Sequence, residues 1–255
     1  MSPVASATRS PLVDSVAPLT PMAWLRYDLV RRMLPAGVTR VLEVGCGQGA
    51  LAARLATDFS YLGVEPDQES CAVASKRLAL VGAGEVRNLA FDDLGEQDFD
   101  LVCAFEVLEH IEDDAGAVRD WASRLRPGGW LLLSVPAYQS RFSAADEYVG
   151  HYRRYDPAVL ASVLGAAKFT DVTIRHYGMP LGYLLESVRT RITQRRLRRT
   201  PGATQEERTS GSGRLFQPSG LTGVGTRLGT APFRLLQRAF PGRGTGLVAL
   251  ARWPG

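Results

Sequence analysis

The chain has 255 residues, 45% hydrophobic and 22% charged, which is enough apolar material for one full-sized core and a modest appendage. The net charge is +4, but residues 178–255 carry 13 Arg against 3 Glu, so the first 177 residues are acidic on balance. The longest apolar runs fall far short of the roughly 18 residues that cross a bilayer. With no such run and no signal-peptide pattern at the start, a cytoplasmic protein without a membrane span is expected, and Cys46, Cys71 and Cys103, odd in number and without CxxC spacing, argue against a disulfide framework or zinc knuckle.

Residues 1–20, rich in Ser, Pro, Ala and Thr and without periodicity, read as a disordered tail, and they lack the basic and apolar regions of a signal peptide. From Met22 to Leu34, Trp24, Leu25, Leu29 and Met33 recur at helical spacing, and Pro35-Ala-Gly37 stops the helix before the apolar strand Val41–Val44. The turn Gly45–Gly49 then opens a helix over 50–56. Tyr61–Glu65 reads as the second strand, Gln68–Val81 as a helix, and Glu85–Leu89 and Asp100–Phe105 as further strands. A helix is expected over Asp113–Leu125, ended by Pro127-Gly-Gly129, and a fifth strand over Trp130–Val135. Asp156 then caps a helix over Pro157–Ala167, with strands at Thr170–Tyr177 and Gly246–Trp253. This alternation predicts an α/β domain, Rossmann-like, with a mostly parallel sheet and helices on both faces, over 21–177 plus 246–255.

Residues 178–245 break the alternation and read as a basic helical insertion or cap: a helix near 181–199, a flexible linker over 200–213, and a helix near 232–240. In the first of these helices an apolar stripe of Leu184, Leu185, Val188 and Ile192 runs into a crowd of arginines. Two readings stay open. The helix lies on an anionic membrane surface or covers a site, or it docks on the core with its arginines in water.

A strand ending in Gly45-x-Gly47-x-Gly49 and opening a helix brings backbone close to a ligand, because a side chain would block the approach. The spacing is not the G-x-G-x-x-G of a dinucleotide site, and Glu43 stands two positions before the first glycine. Glu65, at the end of the second strand, is suited to accepting both hydroxyls of a ribose. With these, the segments VLEVGCGQG, GVE, FDLVCAFEVLEHIEDD and LRPGGWLLLSVP resemble the successive motifs of the class I S-adenosylmethionine-dependent methyltransferases, over roughly residues 38–177 and the last strand. The resemblance implies a seven-stranded sheet with an antiparallel last strand. It also implies that Glu43, Gly45, Cys46, Gly47 and Gly49 hold the amino-acid end of S-adenosylmethionine and Glu65 the ribose, and that Phe105 and Glu106 border the methionine portion. Many relatives carry an aspartate after the third strand; Ala90 stands there, so either the backbone of Ala90 and Phe91 holds the adenine, the reading we favour, or the loop shifts Asp92 or Asp93 inward.

Methyl transfer to a hydroxyl needs alignment and removal of a proton. The bases on offer are His151, our first choice as general base, and His110, while His176 reads as structural. Glu106, Glu109, His110 and His151 could instead ligate a divalent metal such as Mg, an arrangement that resembles small-RNA 2′-O-methyltransferases and ubiquinone-pathway O-methyltransferases. Pro136, Asp146 and the stretch Gly150-His-Tyr-Arg-Arg-Tyr155 resemble a subgroup motif of methyltransferases associated with glycans, lipid-linked intermediates or secondary metabolites, which makes Arg153, Arg154 and Tyr155 candidate substrate-binding residues. The expectation is O-methylation of a small molecule, glycan or lipid-linked acceptor. The rivals are a metal-dependent RNA 2′-O-methyltransferase, for which no RNA-binding module is recognisable, and a non-catalytic cofactor-binding or membrane-associating module.

Overall fold

The computed structural model describes residues 11–95, 98–197 and 220–255. In chain order its elements are α1 (Pro11–Val16), α2 (Pro21–Met33), β1 (Arg40–Val44), α3 (Ala52–Leu55), β2 (Ser60–Val64), α4 (Gln68–Val81), β3 (Glu85–Arg87) and β4 (Phe99–Phe105). There follow α5 (Asp114–Ala122), β5 (Leu125–Pro136), α6 (Ala144–Tyr148), α7 (Pro157–Ala166), β6 (Thr170–Gly178), α8 (Leu181–Leu197), α9 (Gly220–Leu236) and β7 (Gly244–Arg252). Helices α2 and α4 start where a side chain provides for a free N–H group, whereas Asp156 stands at the N-cap of α7 without a side-chain capping bond. The Thr20 hydroxyl accepts from the Ala23 amide with Pro21 at the first position, and the Asp67 carboxylate accepts from the Ser70 amide at 2.8 Å.

The seven strands lie in the order β3-β2-β1-β4-β5-β7-β6; β1 to β5 pair in parallel, and β7 runs antiparallel to both neighbours. Both faces are covered, so successive residues of β4 bury on opposite sides: Leu101 and Cys103 pack with Trp24, Leu25 and Leu55, while Val102 and Ala104 pack with Trp121, Leu131 and Leu160. This is why the inner strands read as continuous apolar runs. The strand order reverses between β1 and β4, and the loops leaving the carboxyl ends of these strands meet there, where ligands bind in open α/β sheets.

Two expectations about the ends of the domain are corrected. Residues 11–20 belong to the fold: Val13, Ala17 and Leu19 are buried, and the Asp14 carboxylate pairs with buried Arg54 at 2.8 Å and with Arg227. Arg54 also donates to the Ala17 carbonyl and lies over the Trp24 ring, so one guanidinium ties α1 and α2 to α3. The polar composition concealed this, because the partner residues lie far along the chain. Residues 1–10 and the expected linker over 200–213 lie outside the described residues. The last helix starts well before 232. It contains Gly220, Gly223, Gly225 and Gly229, residues of low helix propensity, but a Cβ on Gly223 would come within 2.7 Å of Pro18, so the glycine permits close packing on the α1 end. Likewise the helix expected to reach Leu125 stops at Ala122, because Leu125 already pairs with Phe99 in the sheet.

One glycine of the turn after β1 serves the fold directly. Gly49 has φ +75°, and a Cβ there would stand 2.8 Å from the Ala74 Cβ and 2.9 Å from its Cα. Gly49→Ala is therefore expected to cost about 2–4 kcal/mol in denaturant unfolding, from the left-handed backbone and the clash with α4.

Candidate active site

The turn after β1 places three left-handed glycines in succession, Gly45, Gly47 and Gly49, with φ of +65°, +55° and +75°. A Cβ on Gly45 would strike Val107 at 2.8 Å, whereas one on Gly47 would project into open space, so the turn presents bare backbone at Gly47. Glu65 lies beneath it: one carboxylate oxygen accepts from the Gly47 amide at 2.7 Å and the other from the Asp67 amide at 3.0 Å. Each oxygen keeps a further lone pair for a ligand. Burial pushes the Glu65 carboxyl up, and the two amides partly offset that.

Glu43 is buried in β1 and accepts a 2.7 Å hydrogen bond from the Tyr61 hydroxyl. Gly63 makes room for this contact, since a Cβ there would lie 2.9 Å from that hydroxyl and 3.0 Å from the Cys46 sulfur. Cys46 is buried under the turn, and burial followed by the Glu43 and Glu65 charges pushes its thiol well up. Burial also raises Glu43 from the ordinary 4.5 to about 7, against the Tyr61 bond and the Arg26 charge. A carboxyl raised in the folded state contributes most stability below its unfolded value and loses it as pH climbs through about 7. Glu43→Gln is expected to flatten that decline, gaining on the order of 3 kcal/mol relative to wild type between about pH 5 and pH 8, as read by urea unfolding.

The segment after β4 supplies a second group of side chains. Glu106, at φ +58°, accepts from Ser134 at 2.8 Å and Tyr177 at 3.0 Å, and pairs with Arg26 at 3.2 Å. Burial works against its charge, but Arg26, Ser134 and Tyr177 outweigh it and hold the carboxyl below its ordinary value. Arg26 also stands 6.0 Å over the Phe105 ring. Leu108–His110 forms a short 3-10 turn rather than an α-helix. Glu109 is 0% exposed, and neither of its carboxylate oxygens has a hydrogen-bond partner. Burial, with the Glu106 charge next, pushes it well above the carboxylate range.

His151 approaches Glu109 from the loop before α7. Its Nε2 lies 3.9 Å from a Glu109 oxygen, and its Nδ1 lies 3.1 Å from Asp146. The His110 and His151 rings meet edge to face with centroids 4.5 Å apart, and burial, then the His151 charge, lowers His110 to about 4. Glu109, His110 and His151 offer ligand atoms all within 4.8 Å of one another. Glu106 is outside that group and is engaged by Arg26, Tyr177 and Ser134.

The loop bearing His151 is fixed at several points. Tyr155 exchanges backbone hydrogen bonds with Pro136 and Tyr138, and the Tyr152 amide donates to the Glu109 carbonyl at 2.8 Å. Asp146 closes a capping box with Ser143 and receives two bonds from Arg154, at 3.0 and 2.8 Å. Although burial opposes its charge, His151, Arg154 and Ser143 hold the Asp146 carboxyl well below its ordinary range. Arg154 also pairs with Glu186 of α8, and the buried Tyr155 donates to Asp114 at 2.8 Å. Arg153 bonds Asp114 and the Glu112 carbonyl. The three residues expected to face a substrate are thus bonded to the protein's own acceptors. Ala90 is exposed ahead of a 3-10 turn over Phe91–Asp93, and the Phe91 ring lies 5.4 Å under Arg124.

Sequence reasoning missed Arg26, Tyr61, Ser134 and Tyr177. Each comes from a different element, and only the tertiary fold brings it to these carboxylates. Asp146 did stand in the motif, five residues before His151, and that spacing was its one signal.

Residues 21–174 match the family model described as a methyltransferase domain. The chain is similar to a ubiquinone biosynthesis O-methyltransferase of Albidiferax ferrireducens, 32% identical over 128 residues, covering 46% of this chain and 49% of that relative. Another protein of that name, from Xanthomonas axonopodis pv. citri, is 34% identical over 172 residues, covering 58% and 69% respectively. The matched region thus spans about half the length of the first of these relatives. Among solved structures, a SAM-dependent methyltransferase of Thermotoga maritima has a TM-score of 0.57 at 16% identity, covering 96% of this chain and 93% of that one. The N-methyltransferase NodS of Bradyrhizobium japonicum, in complex with S-adenosyl-L-homocysteine, has a TM-score of 0.56 at 16% identity, covering 92% and 89%. At these identities the two structures share the fold.

Proposed function

We propose, from the premise that this chain belongs to the methyltransferase-domain family, that it transfers a methyl group from S-adenosylmethionine to an oxygen of a small-molecule acceptor. The observation that carries the reading is the bare backbone at Gly47 beside the Glu65 carboxylate. The open Cβ position there leaves space for a ligand, and the Glu65 lone pairs can accept from a vicinal diol. The bound cofactor supplies an electrophilic methyl group. Glu65 would hold its ribose hydroxyls, the ionised form of Glu43 would be favoured by its ammonium group, and Phe105 with Glu106 would border the methionine side. The backbone of Ala90 and Phe91 receives the adenine.

His151 accepts the proton of the acceptor hydroxyl. Asp146 positions it, since a carboxylate on Nδ1 leaves Nε2 free to act as base. Arg154, bonded to Asp146 and Glu186, and Tyr155, bonded to Asp114, hold the loop in register rather than touching the acceptor. The oxygen acceptor is favoured by the O-methyltransferase names of the relatives.

A second reading rests on the unpartnered, fully buried Glu109 carboxylate beside two imidazoles, a donor set that fits a divalent cation. There the ion would be held by Glu109, His110 and His151 and would lower the pKa of an acceptor hydroxyl. Methyl transfer assayed before and after dialysis against chelator separates the two. If His151 is the base, activity stays within about two-fold; loss by about ten-fold or more, restored by Mg²⁺, assigns the proton to metal chemistry.

A further inference from the structure

Beyond the loop that carries His151, the 3-10 turn over Gln139–Arg141 and helix α8 border a shallow, solvent-open surface cavity of about 430 Å³, lined by Ser140, Arg141, Glu186, Ser187, Thr190 and Arg191. Glu186 joins it to the site already described: its carboxylate is shared by Arg141 and Arg154, and Arg154 holds Asp146, which holds His151. The wall is cationic on balance. The Glu186 charge is met twice over, and Arg191 is exposed with no ion pair among the described residues. The cavity is also lined by hydroxyls, those of Ser140 and Thr190 among them. Donors from two elements suit a tetrahedral oxyanion better than a planar carboxylate, which a single guanidinium fork satisfies.

We propose that this cavity is the subsite for a phosphate group on the methyl acceptor, with Arg191, which has no ion pair among the described residues, supplying the guanidinium. The proposal rests on the methyltransferase reading above for the word acceptor, but the anion site stands on its own residues. Two sources carry this chemistry, a soluble phosphorylated acceptor and a phospholipid headgroup. The second is relevant because Leu184 and Val188, 63% and 44% exposed, precede Arg191 and Arg195 at spacings of four, three and four on one face of α8.

The test is ³¹P NMR titration of the full chain with inorganic phosphate. Wild type binds saturably, Arg191→Gln weakens binding by at least about five-fold, and Arg119→Gln, an exposed arginine on α5, leaves it unchanged. Equal phosphate affinity in wild type and Arg191→Gln overturns the proposal, as does absence of saturable binding in wild type. Calorimetry with S-adenosylhomocysteine on the same proteins keeps the two readings apart: Arg191→Gln retains the wild-type affinity, and a wild type that binds phosphate but not S-adenosylhomocysteine sinks the methyltransferase reading alone. Vesicle sedimentation then identifies the source. Retention on phosphatidylglycerol but not phosphatidylcholine, lost in Leu184→Gln, assigns the phosphate to a headgroup. Phosphate binding without retention assigns it to a soluble acceptor.

Discussion

Replacing His151 by alanine is expected to lower kcat by about 10²–10⁴-fold while moving S-adenosylhomocysteine affinity by less than about three-fold. The split follows from position: His151 faces Glu109 and His110 across the mouth of the β4 and β5 loops, whereas the Gly47 backbone and Glu65 belong to the β1–β2 side. Asp146→Asn gives a control for a positioning role. It removes a charge from Nδ1 but keeps a capping side chain, so kcat falls by a smaller factor and the pH dependence of kcat shifts, which a purely structural residue would not produce. Equal kcat in wild type and His151→Ala would remove this histidine from the chemistry.

The second large effect falls on binding. Glu65→Ala is expected to weaken S-adenosylhomocysteine by about 10²–10⁴-fold, the loss of two charge-assisted hydrogen bonds to a diol at about 1.5–3 kcal/mol each. The variant also strips acceptors from the Gly47 and Asp67 amides, so part of the loss is disorder of the turn. Glu65→Gln separates the two contributions, since its amide keeps one acceptor and loses the charge; an intermediate affinity is the expected result. If Glu65→Ala binds like wild type in calorimetry, the carboxylate serves the turn alone.

The strand pattern was legible because every inner strand is buried on both faces, leaving apolar runs that glycines and prolines punctuate. The glycine turn after β1 was legible for a related reason: three left-handed positions in five residues demand glycine whatever surrounds them. The supports of the site were not. Tyr61, Arg26 and Tyr177 reach Glu43 and Glu106 from β2, α2 and β6, and nothing in their local sequence distinguishes them from ordinary surface or core residues. Composition misled in two places. Pro11–Val16, within the Ser- and Pro-rich start, forms α1, where Asp14 meets Arg54 and Arg227, and the glycine-rich start of α9 is helical because it packs against Pro18. The residues of the Gly-His-x-Arg-Arg-Tyr stretch divide between positions that only geometry separates: His151 turns to the buried acid, while Arg154 and Tyr155 are bonded to carboxylates elsewhere in the fold.

The central claim, that the turn after β1 receives a methyl donor, is tested most directly by isothermal calorimetry of the full chain with S-adenosylhomocysteine. Saturable binding of one molecule per chain, lost on Glu65→Ala, is the expected result. Absence of binding by wild type at saturating ligand would contradict it.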